Sequence, residues 1–112
     1  MIARLKEIQP IDRKLAEVAF SSNNPKNICD ALVRVAYHDD DYQWVQNKCI
    51  TFLHSDDLDV RRLAIACLGH LARIHNKLDK KLVIPLLEEM RKDKEIEGVV
   101  EDALDDINMF VE

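Results

Sequence analysis

Glycine and proline are nearly absent, with two glycines and three prolines among 112 residues. That scarcity excludes an all-β fold, which needs tight turns at short intervals. Aromatics are also few, at 5%. No apolar run approaches the ~18 residues of a membrane span. Residues 1–10 carry Arg4, Lys6 and Glu7 where a signal peptide would be apolar. A net charge of −5 opposes a general nucleic-acid binder. Metal and catalytic signatures are missing as well. The three cysteines, Cys29, Cys49 and Cys67, are odd in number, far apart and set in apolar patterns, so they read as reduced core thiols of a cytoplasmic protein. His70 and His75 stand five apart and do not converge on one helix face, and no Cys–His spacing fits a zinc module. His70 is expected to face outward beside Gly69, and His75 to lie near a helix end. A calcium loop would need a glycine and a bidentate glutamate that the aspartates at 39–41 lack. Without a phosphate loop or nucleophile elbow, no catalytic, cofactor-binding or metal residue is expected, and the chain reads as no enzyme.

What fills the chain is Ala, Leu, Ile, Val, Lys and Glu, which favour helices. At 13.0 kDa it fits one domain, 1–112, with a single core. Residues 58–75 carry Val60, Leu63, Ala64, Cys67, Leu68, Leu71 and Ile74 at three- and four-residue spacing, one apolar face. Ile65, Ala66 and Ala72 widen that stripe, which predicts a central helix packed on two sides. Asp56 and Asp57 suit its cap and first turn. Residues 95–111 repeat the pattern with Ile96, Val99, Val100, Ala103, Leu104, Ile107, Phe110 and Val111. A shorter helix precedes each: 41–54 with Tyr42, Val45, Cys49, Phe52 and Leu53, and 83–92 with Val83, Leu86, Leu87 and Met90. There Pro85 is tolerable only near the first turn. Upstream, 11–20 and 26–37 form another pair, the second opened by the cap Asn24 and an N1 proline, Pro25. A turn or two of helix is expected over 1–9, before Pro10.

Setting Val60 on Ile96 puts Leu68 on Leu104 and Leu71 on Ile107, a period of 36 residues. A fixed period of that size signals stacked helical hairpins, none able to bury its apolar face alone. The expected fold is all-α, a short α-solenoid of about three antiparallel helix pairs.

The run Asp59-Val60-Arg61, then Ala64, Leu68-Gly69 and Leu71, resembles the second helix of a HEAT repeat. In that family an aspartate and an arginine flank the turn, and the Leu-Gly pair lets neighbouring helices approach closely. Val83-Ile84-Pro85-Leu86-Leu87 resembles its first helix. The third unit departs from the pattern, with Glu97 for the arginine and Asp105 where Gly69 would align. The period is also shorter than the roughly 40–47 residues of HEAT and armadillo units. The segments 36–46, 67–75 and 101–107 resemble small bacterial HEAT-like proteins, some of them immunity proteins that neutralise toxins delivered between competing bacteria. The resemblance implies a stoichiometric inhibitor of a contact-dependent inhibition or polymorphic toxin system.

Charge is segregated. Residues 38–59 sum to −5, 60–94 to +5 and 95–112 to −7, the last block with no basic residue. Glu101, Asp102, Asp105 and Asp106 share one helix face and repel by roughly 0.2–0.5 kcal/mol per i,i+4 pair. A partner with a basic surface would relieve this, as would Arg61, Arg62 or Arg73 of the preceding unit. Asp39, Asp40 and Asp41 beside Tyr42 and Trp44 form a second candidate. Trp44 falls off its helix's apolar face and either anchors a partner or packs on the first helix pair while the aspartates cap a helix. The basic middle block suggests either a nucleic-acid groove, as in HEAT-like DNA glycosylases, or ion pairs with the acidic block.

The expected function is an immunity protein without cofactor. It binds one cognate toxin, a nuclease with a basic surface, and occludes its active site or substrate groove. Partner contacts are expected at Glu101, Asp102, Asp105, Asp106, Asp39, Asp40, Tyr42 and Trp44, from a monomer in a 1:1 complex without nucleic acid or membrane. A HEAT-like scaffold or adaptor and a HEAT-like enzyme on nucleic acid are the alternatives.

Overall fold

Of the six helices among the described residues, five begin at a side chain that caps them. In the computed structural model, which describes residues 8–112, these are α1 (Arg13–Phe20), α2 (Pro25–His38), α3 (Tyr42–Phe52), α4 (Leu58–His75), α5 (Lys80–Met90) and α6 (Glu97–Phe110). The carboxylates of Asp12, Asp41, Asp57 and Asp79, and the amide oxygen of Asn24, accept from orphan backbone N–H groups of α1, α3, α4, α5 and α2. Each such cap contributes ~1 kcal/mol. Helix α6 starts at Ile96 with no side-chain cap. Its entry is fixed by burial of Ile96, 2% exposed, and by Arg62 Nη2 donating to Glu95 O at 3.1 Å. No strand occurs among the described residues.

Helix α4 is the centre: it packs on α2, α3 and α6, while α1 packs on α2 and α5 on α6. Its face of Val60, Ala64, Cys67, Leu68 and Leu71 is buried, and Ile65 and Ala72 bury on further sides. Gly69 makes the α4–α6 approach possible. A Cβ there would stand 3.3 Å from Ala103 Cα and 3.1 Å from Asp106 Oδ2. Helix α4 ends at Asn76 in the left-handed region (φ 55°), which a short amide side chain tolerates. Asn76 Nδ2 also donates to Phe110 O at 3.2 Å, and Lys80 Nζ to Val111 O at 3.0 Å. Both ties hold the C-terminal end of α6. Gln46, the one buried polar residue among those described, accepts from Asp79 N at 2.7 Å and fixes the entry to α5.

Several expectations need correction. Helix α5 starts at Lys80, not residue 83, because Asp79 caps it. Pro85 therefore lies in the helix interior on an exposed face, where the carbonyl it leaves unbonded can reach water. Ile74 is 39% exposed and has left the core face of α4. Glu95 precedes α6 rather than opening it. Of the cysteines, Cys49 and Cys67 are buried but Cys29 is only partly so. The turn of helix anticipated over 1–9 lies outside the described residues except for Ile8 and Gln9, which are irregular.

Candidate functional site

The acidic face of α6 borders a groove of about 430 Å³ against α4, lined by Ala66, His70, Arg73, Val99, Asp102, Ala103, Asp105 and Asp106. Its floor is set by small residues, Gly69 and Ala103, that let the two helices close up. Buried Val100, Leu104 and Ile107 fix the rotation of α6 and turn the carboxylates away from the core. The four acidic side chains are not equivalent. Asp106 meets Arg73 Nε at 3.6 Å and Glu101 meets Arg91 Nε at 3.7 Å. Asp102 and Asp105 have no ion-pair partner among the described residues. Intramolecular pairing thus reaches the two ends of the cluster and leaves its middle open. Arg61 and Arg62 serve backbone carbonyls instead, Ser55 O and Glu95 O.

The wall contributed by α4 was missed from sequence. His70 does not face outward: it is half-buried, its ring 5.4 Å from that of Tyr37 on α2. Arg73 Nη2 hydrogen-bonds His70 Nδ1. Burial, and then the charge of Arg73, push the His70 pKa below its ordinary value, with Asp106 pulling the other way. Only the i,i+3 spacing of His70 and Arg73 could have signalled this pair.

The second cluster is already occupied from within. Arg13 Nε and Nη2 donate to both oxygens of Asp39 at 3.1 and 3.0 Å, and Arg13 reaches Asp41 at 3.2 Å. The same guanidinium lies 4.3 Å over the Trp44 ring. Asp39 is held below the ordinary carboxylate range chiefly by Arg13. Asp41 is held down by the Trp44 backbone N–H and then by Arg13. Trp44 is half-buried, 6.3 Å from the Phe20 ring, and Lys48 sits 5.8 Å from it on α3. It packs on the first helix pair, the blander of the two readings the sequence allowed. Tyr42 is partly buried against the core, and Asp40 stays exposed. Among the described residues the groove lining contains neither Glu101 nor any of 39–44, so the eight candidates fall into two groups.

Taken together, the fold and site define an all-helical protein with an acidic groove between two packed helices. No protein-family model and no curated protein matches the chain. It is similar to a chain in the crystal structure of a CDI complex from Cupriavidus taiwanensis, with a TM-score of 0.81 and 30% identity over 90% of this chain and 90% of that one. The protein belongs to the same family as that chain. No helix among the described residues is long and apolar enough to cross a membrane.

Proposed function

We propose that the protein is the immunity member of a contact-dependent inhibition pair, a non-enzymatic cytoplasmic inhibitor that binds one cognate toxin as a monomer. The observation that carries this reading is the family tie to a chain of a CDI complex. The finer reading is a single domain of three HEAT-like hairpins, 1–112, whose acidic surface covers the active site or substrate groove of a basic nuclease. Its support is the pair of carboxylates, Asp102 and Asp105, left open on the α4–α6 groove. These charges steer a basic partner into contact. Asp39, Asp40, Tyr42 and Trp44 form a second, peripheral contact area, where only the part of the Trp44 ring left exposed by Phe20 and Arg13 meets the partner.

The test is capture of a partner from the host's cytosol and secretome. Wild type is compared with a variant carrying Lys at Glu101, Asp102, Asp105 and Asp106, at low and high salt. One basic protein should be retained by the wild type, lost by the variant and weakened by salt. Expressed alone it should arrest growth, and co-expression of the wild type should restore it. Retention by both would move the contact to Tyr42 and Trp44. Capture of only itself or of nucleic acid would refute the immunity reading in favour of a scaffold or a nucleic-acid enzyme.

A further inference from the structure

Among the described residues that line the α4–α6 groove, one, His70, can change charge near neutral pH, and it touches Arg73, the one permanent cation of that lining. Arginine has no acceptor, so in the Arg73–His70 contact the guanidinium must donate and His70 Nδ1 must accept. An imidazole accepts at Nδ1 only when neutral, with its proton on Nε2. The charged and titratable groups facing His70 are Tyr37 from α2, Arg73 from its own helix, and Asp106 from α6, with Asp102 and Asp105 lining the same groove. We propose that His70 is a proton-operated switch on this groove: neutral, it holds Arg73 beside Asp106, and protonated, it releases Arg73 and adds a positive charge to the wall. One arginine against three aspartates makes the lining −2 with neutral His70 and −1 with the imidazolium.

The switch is a property of the free chain. Its consequence for a cationic partner rests on the acidic-surface reading above, and it runs in one direction: acid weakens binding. Across ~6 Å of water, one unit charge changes the affinity of a monovalent cation roughly threefold.

The closing experiment is an NMR pH titration of the free chain. Neutral His70 should be the Nε2–H tautomer and titrate below ~6.5. The Arg73 Nε–H signal should shift with the same midpoint. Arg73→Gln should raise that midpoint and Asp106→Asn lower it. In a folded His70→Gln variant the Arg73 signal should no longer move in this range. A neutral Nδ1–H tautomer, or an Arg73 signal that moves independently of His70, overturns the switch. An N-acetyl-arginine amide probe should bind roughly threefold more weakly below the midpoint than above it, and equally at both pH values in His70→Gln. A probe that binds the groove at neither pH overturns the cationic-partner consequence and the acidic-surface reading together, while the Arg73 signal still decides the switch.

Discussion

Gly69→Leu tests the helix contact on which the groove depends. Glycine inside a helix is intrinsically unfavourable, so at an open position leucine would stabilise by about 0.8 kcal/mol. Gly69 is not open. A Cβ alone would stand 3.3 Å from the Cα of Ala103 and 3.6 Å from its Cβ. The carboxylate of Asp106, 3.1 Å away, can swing aside, but the α6 backbone cannot. Leucine adds three more carbons to that space, and overpacking of this kind costs about 1–3 kcal/mol. The expected net loss is about 0.2–2 kcal/mol, a fall in Tm of roughly 1–9 °C for a domain of this size. Gly98 is the internal control. Nothing lies within 4 Å of a Cβ there, so Gly98→Ala in the first turn of α6 should stabilise by about 0.5 kcal/mol. Urea unfolding followed by far-UV circular dichroism measures both. A Gly69→Leu protein as stable as wild type would refute the close approach and the groove geometry built on it.

Other measurements probe separate contacts. Trp44→Ala should cost about 1–3 kcal/mol in urea unfolding, since the ring is half-buried against Phe20 and Arg13; in a toxin complex it should mainly speed dissociation. Asp39 and Asp41 are held below their ordinary carboxylate range, so they stabilise the fold above about pH 4 and lose this as pH falls through their lowered values. Arg13→Gln should flatten that limb of the stability–pH curve. His70 is also depressed, so the unfolded chain takes up its proton first and stability falls as pH drops below about 6.5; His70→Gln should remove that contribution. Of the three thiols, Cys29 alone should react with a thiol reagent in the native state, slowly at neutral pH because burial and then Asp57 and Asp59 raise its pKa. All three should react in denaturant.

Helix positions were legible because local rules and burial agree. Residues 58–75 read directly, since an aspartate cap and a continuous apolar face point to the same boundaries. The Asn24-Pro25 start of α2 follows from the same agreement. The start of α5 is less legible, because Pro85 points to a first turn while Asp79, six residues earlier, supplies the actual cap. In the site, the acidic face of α6 was visible as a charge pattern. The division of that face between paired and open carboxylates was not, because Arg91 and Arg73 reach it from different helices. The half-burial of His70 is illegible for a similar reason: its neighbours Tyr37 and Asp106 are far away in sequence.

The open carboxylates of α6 work against the helix that carries them. Asp102 is an i,i+3 neighbour of Asp105 and an i,i+4 neighbour of Asp106, and only Asp106 has a cation beside it. Helix α6 also lacks a side-chain cap, so its stability rests on the burial of Val100, Leu104 and Ile107 and on the ties from Asn76 and Lys80. Replacing Asp102 by Lys turns two repulsive spacings into attractive ones, a gain on the order of 1–2 kcal/mol. The position lies mid-helix, where the helix dipole contributes little. If the carboxylates face a basic toxin, the same variant must lose affinity, and its association rate must depend less on salt. A variant more stable yet less able to bind would identify Asp102 as kept for the partner and not for the fold. Lower stability in Asp102→Lys would mean that the carboxylate holds an intramolecular contact, and the case for an open acidic face would fail.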